Sequence, residues 1–341
     1  MKLVENEFIK FMEKFDENPF RIILEDGEHL IGDGEPAFTV KINKIPKMMD
    51  MLTSTSITLG EAYMNGDIEI EGDLYTALNM FLGQMGKFST DTKKLKNIIF
   101  TSKSKANQKK EVSSHYDIGN DFYKMWLDET MSYSCGYFKN ENDTLYQAQC
   151  NKVDRILEKL NLSDGMTLCD IGCGWGFLLI EAAKKYNIKG VGITLSKEQK
   201  AKFEQRIKEE NLSDRLEVKL LDYRDLPKQH MEFDRVVSVG MIEHVGRGNY
   251  EEFMQCVKSV LKQGGVFVLH FISALKEYPG DAWVKKYIFP GGVIPSLREI
   301  MQIAGELRFY TVDVESLRRH YNKTLLCWNE NFQQHRVEVV E

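Results

Sequence analysis

From residue 150 onward, short apolar runs alternate with stretches whose apolar residues recur at helical spacing. The runs cover residues 167–171, 189–193, 216–220, 235–239 and 266–272. Each run has the length of a buried strand, and strands separated by helices predict a doubly wound, mostly parallel, Rossmann-like α/β sheet. Ligands on such sheets bind beyond the carboxyl ends of the strands. We therefore interpret the residues that follow each run as parts of one site.

The residues before about position 90 show a different pattern and predict a separate, smaller α/β domain. Val4, Phe8, Phe11, Met12 and Phe15 fall on one face of a helix. Residues 20–24 and 38–42 have the composition of strands, joined through a Gly-Asp-Gly turn, and an apolar segment follows at 74–85. This domain is either a structural cap or a platform for an apolar substrate, since fold alone does not decide function.

Bulk composition is that of an ordinary soluble protein. The chain has 341 residues, of which 43% are hydrophobic and 28% charged. Its longest apolar runs are too short for a membrane span, and its first residues alternate acids and bases instead of forming a signal peptide. The six cysteines lack the paired spacing of a zinc site, which indicates a reduced, cytoplasmic protein without a metal. A net charge of -6 argues against a nucleic-acid partner.

One short segment reverses this acidic balance. Seven lysines and no acid lie between positions 93 and 110. Such a segment favours an anionic membrane surface, and a solvated linker is the alternative. We place the domain boundary inside it, so that residues 1–105 form the lipid-platform domain with its basic linker and 106–341 form the catalytic domain.

The turn after the run 167–171 carries the clearest chemistry. Gly172, Gly174 and Gly176 alternate after Asp170 and precede an amphipathic helix. A dinucleotide-binding turn spaces its glycines differently. The spacing here suits S-adenosylmethionine, with glycine amides facing the cofactor and Asp170 orienting its amino acid end. A tight strand-to-helix turn in some other α/β protein is the alternative.

Polar residues also follow the next two runs. Thr194, Ser196 and Gln199 come after the second run, which has no acid at the strand end, and we expect them to supply hydrogen bonds to the cofactor. Asp222 and Tyr223 follow the third run and are placed to meet an adenine ring. For Asp222, the alternative is that it caps a helix or a turn.

One titratable residue follows the fourth run, and another lies in the fifth. Glu243 lies in an apolar turn, where a carboxylate is either ion-paired or catalytic. His270 ends a strongly apolar strand, where a lone histidine is more often a satisfied core residue. Their convergence at one sheet edge favours chemistry. Two aromatic, glycine-bearing segments, 114–123 and 131–138, have the composition of a lid or of surface loops.

Eight motifs resemble those of cyclopropane-fatty-acyl-phospholipid synthases. They occupy residues 115–123, 133–138, 170–176, 194–199, 222–225, 243–246, 289–292 and 321–325. Residues 60–67 and 72–75 also resemble the N-terminal extension of the bacterial form. The resemblance implies cofactor contacts from Tyr133, Ser134, Gly172, Gly174, Thr194, Leu195, Ser196, Gln199 and Asp222. The strand-end pattern adds Asp170, Gly176 and Tyr223 to the predicted cofactor residues.

The resemblance also implies a reaction. The cis double bond of a phospholipid acyl chain attacks the sulfonium methyl, and the resulting carbocation loses a proton as the ring closes. A bound bicarbonate is the implied base, held by Cys135, Glu243, His270, the backbone of Ile272, and Tyr321. No thiolate-stabilising base stands near Cys135 in the sequence, so we expect this thiol to position other groups and not to act as a nucleophile. A homodimer, bound peripherally to the inner face of the membrane, is also implied.

The C-terminus departs from the seven-stranded methyltransferase pattern. We expect a sixth strand near residues 309–314 and a helix over 324–340, after which the seventh strand is missing and a sheet edge is exposed. Two other functions stay open at this stage. One is a methyltransferase that makes methyl-branched lipids or acts on a small soluble acceptor, and the other is an inactive lipid-binding protein.

Overall fold

The computed structural model describes residues 2–84, 119–278 and 280–340, which form two compact units. The first contains residues 2–84 together with Gly280–Ile288, and the second contains 119–278 and 289–340. The predicted boundary near residue 105 and the lysine-rich segment lie outside the described residues and stay predictions. No helix in the described part is long and apolar enough to cross a membrane.

The first unit is built on a four-stranded sheet. Its strands are β1 (Phe20–Leu24), β2 (Gly27–Ile31), β3 (Phe38–Ile42) and β4 (Ile68–Gly72), in the order β2-β1-β3-β4. Strands β1 and β3 are parallel, and the two outer pairs are antiparallel. The helices are Lys2–Met12, Met48–Thr53, Thr55–Met64, Leu74–Gln84 and Ala282–Tyr287. The predicted small α/β domain is confirmed.

Two details of that prediction are wrong. An additional strand, β2, lies between the two predicted strands, and only Ile31 within it is buried. An edge strand that is mostly exposed has no apolar run to reveal it in the sequence. Val4, which we expected on the buried helix face, is 46% exposed, while Phe8, Phe11 and Phe15 are buried.

Helix Ala282–Tyr287 packs against helix Thr55–Met64 within the first unit, although it comes from the far end of the chain. Glu61 accepts hydrogen bonds from Nζ of Lys286 at 2.5 Å and from the hydroxyl of Tyr287 at 2.8 Å. Gly60 lies under the ring of Trp283, so close that a Cβ would come within 2.4 Å of ring atom Cδ1. The Gly60-Glu61 pair is therefore a docking point for the second helix.

This contact predicts that Gly60→Ala destabilises the first unit. The new methyl group has to displace the Trp283 ring, and overpacking of this kind costs roughly 1–3 kcal/mol. Gly83→Ala is the matched control, because it lies in helix Leu74–Gln84 with only a flexible Glu17 oxygen at 3.8 Å from its Cβ position. Urea unfolding checks the difference: an equal stability change in both variants would contradict the docking role of Gly60.

The second unit is the predicted doubly wound sheet. Its strands are β5 (Thr167–Ile171), β6 (Lys189–Thr194), β7 (Leu216–Leu220), β8 (Phe233–Val239) and β9 (Leu261–His270). They are ordered β7-β6-β5-β8-β9 and all pair in parallel. The α/β class and the mostly parallel sheet are confirmed, and the crossovers place the ends of β5 and β8 beside each other.

Helices cover both faces of this sheet. The longer ones are Leu145–Leu160, Phe177–Lys185, Lys197–Glu209, Tyr250–Val260, Leu297–Glu306 and Arg318–Gln334. Shorter ones are Asn120–Trp126, Ile242–Val245, Arg336–Val340 and the 3-10 helix Tyr223–Gln229. The helix predicted over 324–340 therefore begins earlier, at Arg318, and is interrupted at His335.

The predicted sixth strand at 309–314 is wrong. These residues have no strand conformation, and Tyr310 and Val312 are 92% and 88% exposed. A strand needs a neighbour for its backbone hydrogen bonds. Among the described residues, β9 pairs only with β8, so residues 309–314 form no ladder with the free edge of β9.

Candidate functional site

The glycine turn after β5 is held by backbone hydrogen bonds from the neighbouring strand. The amides of Gly172 and Cys173 both donate to the carbonyl of Ile193, each over 3.0 Å. Gly172 has a φ of +83°, and a Cβ there would come within 2.7 Å of the Met241 side chain. Gly174 differs, because a Cβ there would meet no atom of the described residues within 4 Å. The backbone at Gly174 thus faces open space.

That open space is a cavity of about 140 Å³. Eleven of the twelve predicted cofactor residues line it, the exception being Ser196. The Ser196 hydroxyl caps helix Lys197–Glu209 and accepts from the Gln199 amide over 3.2 Å, and its residue is fully buried. Ser196 therefore shapes the turn that presents its neighbours Thr194 and Gln199.

Thr194 and Gln199 are joined side chain to side chain. The Thr194 hydroxyl lies 2.7 Å from Oε1 of Gln199 and also accepts from the Ser196 amide at 3.2 Å. This contact fixes the Gln199 side chain, which lines the cavity, at the turn after β6.

Asp222 caps the N-terminus of the 3-10 helix Tyr223–Gln229, as the alternative interpretation of this residue predicted. It begins the 3-10 helix, where its Oδ1 accepts from the Arg224 amide at 3.0 Å and from Nε of Arg224 at 2.8 Å. It also lines the cavity, so the two roles are compatible in space. Tyr223 is 4% exposed, and its hydroxyl has no partner among the described residues.

Asp170 ends β5 at the floor of the cavity and is 3% exposed. Its Oδ1 atom has no hydrogen-bond partner in the described part of the chain. Burial raises the pKa of this carboxyl to about 7, and the charge of Lys152 acts in the opposite direction. An unpaired buried carboxylate indicates a ligand that brings hydrogen-bond donors.

A second, larger cavity of about 1970 Å³ opens beside the first. All five predicted catalytic residues line it: Cys135, Glu243, His270, Ile272 and Tyr321. The two cavities share Tyr133, Ser134, Lys152 and Gly240 in their walls. The predicted cofactor and catalytic residues therefore meet along one boundary.

Glu243 is the most deeply buried acid of the second cavity. It is 3% exposed, and its Oε1 atom accepts from the Ile272 amide over 2.7 Å. Its Oε2 atom has no partner among the residues that the structure describes. Burial raises the pKa of Glu243 to about 7, which the hydrogen bond from Ile272 partly offsets.

His270 and Tyr321 provide further polar atoms in the same cavity. The Nδ1 atom of His270 is buried without a partner in the described residues, and burial lowers the pKa of the ring to about 4. The imidazole is therefore neutral at physiological pH. Burial also raises the pKa of Tyr321, with further contributions from Tyr133, Glu243 and Cys135. Its hydroxyl stays protonated and can donate.

Cys135 lies in the segment that connects both cavities. It is 6% exposed, and its Sγ atom lies 3.2 Å from the Gly136 carbonyl and 3.8 Å from the Leu317 carbonyl. Burial raises the pKa of the thiol to about 11. The group is thus a neutral, hydrogen-bonding thiol at neutral pH, in agreement with the expectation that it is not a nucleophile.

The segment around Cys135 is tied to helix Arg318–Gln334. The amide of Gly136 donates to the Thr324 hydroxyl over 3.0 Å, and that of Phe138 donates to Nδ1 of His320 over 3.1 Å. Tyr133 packs between Trp126 and Trp328, with ring centres 5.1 and 5.3 Å apart. The segment is therefore a packed wall, while the proposed lid motion stays a prediction.

Sequence reasoning missed Lys152 and Gln149 in this site. Both lie on helix Leu145–Leu160 and are 4% and 0% exposed. The Nε2 atom of Gln149 donates to the carbonyl of Ser134 over 2.9 Å. A signal was present, because both polar residues interrupt the apolar face that continues at Ile156.

The chain is similar to known families and proteins. The family model described as mycolic acid cyclopropane synthetase matches residues 103–341, and a domain of unknown function matches 8–93. A probable fatty acid methyltransferase of Pseudomonas putida is 39% identical, covering 92% of this chain and 81% of that relative. The cyclopropane-fatty-acyl-phospholipid synthase of Escherichia coli K12 is 37% identical, with 93% and 83% covered.

A solved structure is also similar. Mycolic acid cyclopropane synthase CmaA1, complexed with SAH and CTAB, is 34% identical with a TM-score of 0.63. The match covers 68% of this chain and 85% of that one.

Proposed function

The chain belongs to the mycolic acid cyclopropane synthetase family, and on this premise we propose that it converts a cis double bond in a phospholipid acyl chain into a cyclopropane ring. S-adenosylmethionine is the proposed methylene donor. The observation that supports the proposal best is the shared wall of the two cavities, which brings the predicted cofactor residues next to the predicted catalytic ones.

The first cavity fits the cofactor. Its open backbone at Gly174, its unpaired Asp170 oxygen and its fixed Gln199 amide are suited to a ligand with an amino acid end and hydroxyl groups. The related CmaA1 structure holds SAH, the demethylated form of this compound. When bound, S-adenosylmethionine supplies an electrophilic methyl group.

The second cavity suits an acyl chain. Apolar side chains from β9 and from the segment after it form much of its wall, including Val266, Val268, Phe271, Phe309 and Val314. An alkene is a weak nucleophile, and a carbocation reacts with any water that reaches it. We propose that this apolar wall aligns the acyl chain beside the cofactor, with its buried part keeping water from the reacting carbon.

The polar end of the second cavity fits a bicarbonate ion. Oε2 of Glu243 and Nδ1 of His270 are buried without partners in the described residues, and Tyr321 offers a hydroxyl. We propose that these groups, with Cys135 and the backbone of Ile272, hold the ion. When bound, bicarbonate supplies a base beside the reacting carbon. We propose that ionised Glu243 accepts a proton at Oε2 during turnover, since its raised pKa of about 7 suits a proton acceptor at neutral pH.

Labelled S-adenosylmethionine and unsaturated phospholipid vesicles test the proposed function. Analysis of the released acyl esters distinguishes the outcomes, because cyclopropanation adds one methylene, removes the double bond and yields upfield ring protons. A methyl-branched product would instead support the reaction suggested by the relative from Pseudomonas putida. Vesicle binding without any product would support the inactive lipid-binding alternative.

A neutral Cys135 predicts that Cys135→Ser keeps substantial turnover. A serine hydroxyl preserves a hydrogen-bond donor toward the carbonyls of Gly136 and Leu317. We expect the variant to retain at least about a tenth of the wild-type rate, because the loss is that of one weak hydrogen bond. A complete loss of activity, with a thioether trapped in the wild type, would contradict the positioning role.

The lysine-rich segment predicts peripheral binding to an anionic membrane. Seven positive charges in 18 positions attract anionic headgroups, and salt screens this attraction. We expect binding to anionic vesicles to weaken as ionic strength rises, with neutral vesicles as the control. Salt-independent binding would attribute membrane contact to apolar groups. The proposed homodimer is tested separately by analytical ultracentrifugation.

A further inference from the structure

Lys152 is a buried charge that the proposed reaction does not use. It is 4% exposed, on the inner face of helix Leu145–Leu160, and its Nζ atom donates to the Ser134 hydroxyl over 2.8 Å. No described carboxylate forms an ion pair with it; the acids Asp128 and Asp170 act on it only through their charges. Burying an ammonium group with so little compensation is costly.

Neither nearby acid is its partner in the folded chain. Asp128 already accepts two hydrogen bonds from Thr130, at 3.1 Å to the amide and 2.9 Å to the hydroxyl. Asp170 keeps its Oδ1 atom unpaired, as the described residues show. Lys152 and Asp170 therefore line one cavity as separate charges of opposite sign.

Lys152 and Asp170 place a positive and a negative group on one cavity wall, which is complementary to a ligand that carries one charge of each sign. Resting on the proposed function, we propose that Lys152 binds the α-carboxylate of the cofactor's methionine end, while Asp170 faces its α-ammonium group. The Ser134 hydroxyl, which accepts a hydrogen bond from the ammonium group of Lys152, is the second donor to the same carboxylate. Lys152 is thereby a cofactor-binding residue on a helix outside the glycine turn.

Binding measurements by calorimetry test this assignment without turnover. The probes are S-adenosylhomocysteine, its decarboxylated analogue and 5′-methylthioadenosine, which lacks the whole amino acid. Lys152→Met should weaken S-adenosylhomocysteine binding by about 30-fold or more, because truncation leaves a buried charge unpaired. The other two probes should bind the variant and the wild type equally. Lys152→Arg, which keeps the charge, should recover part of the affinity.

Lys184→Met is the matched control, since it removes the same charge from an exposed ion pair with Glu210 outside both cavities. Equal losses for all three probes in Lys152→Met, or an unchanged affinity for S-adenosylhomocysteine, would overturn the proposal. If Lys152→Met fails to fold, the wild-type protein still tests the proposal. Equal wild-type affinities for S-adenosylhomocysteine and its decarboxylated analogue would also overturn the proposal. A wild type that binds none of the probes would instead refute the proposed function.

Discussion

Glu243→Gln is expected to lower the rate of cyclopropane formation by about 100-fold or more, the usual loss when a group that accepts a proton is removed. Glutamine keeps an oxygen for the Ile272 amide but has no basic oxygen at the position of Oε2. The wild-type rate should rise with pH through about 7, as this carboxyl ionises, and the variant should lose that rise. Product analysis over a pH series measures both effects.

The free energy of unfolding of Glu243→Gln shows whether a lower rate comes from the lost carboxylate or from misfolding. The pKa of Glu243 is raised from 4.5 to about 7 in the folded protein, so ionisation favours the unfolded chain as pH rises through that window. Glutamine removes this penalty, and the free energy of unfolding should increase by up to about 3 kcal/mol at pH 8, with no gain below pH 4. Glu251→Gln, on an exposed position, is the control. Wild-type activity in Glu243→Gln would contradict the assigned role.

Gly174→Ala is expected to weaken S-adenosylhomocysteine binding by about 30-fold. The added methyl group occupies space that the ligand needs, and this clash costs roughly 2 kcal/mol of binding free energy. In the part of the chain that the structure describes, no atom lies within 4 Å of this Cβ position, so we expect the methyl group to enter the cavity. Calorimetric titration gives the affinity directly.

The control for this variant is Gly165→Ala. Gly165 also has a positive φ, +82° against +55° at Gly174, and open space at its Cβ position, but it lies outside the cavity. Both variants therefore carry a similar backbone cost of about 1–2 kcal/mol. If Gly165→Ala reduced the affinity as much as Gly174→Ala, the effect would arise from backbone strain and not from cofactor contact.

Much of the candidate site was predictable because it is local in the sequence. Gly172 and Gly174 follow a buried strand, and Glu243 and His270 come after neighbouring strands of the same sheet. The role of Asp222 was harder to predict, because capping a helix and facing a ligand require the same residue type at the same place. Its ion pair with Arg224 became visible only with the turn in three dimensions.

The error at 309–314 has a different origin. The pattern there, with Tyr310, Val312 and Val314, is that of a strand, but strand formation depends on a hydrogen-bonded neighbour that local sequence does not specify. Strand β2 shows the reverse case: its polar residues hide a strand that pairing with β1 creates.

By itself the sequence determined the parallel sheet, the glycine turn and the convergence of polar residues at one edge. Hydrophobic periodicity specifies the elements, and the carboxyl ends of parallel strands share an edge. Only the tertiary structure decided that Lys152 lines the first cavity and that Lys286 contacts Glu61, 225 residues away. The reason is physical: burial of a charge and packing of distant helices arise from contacts between segments that no local pattern links.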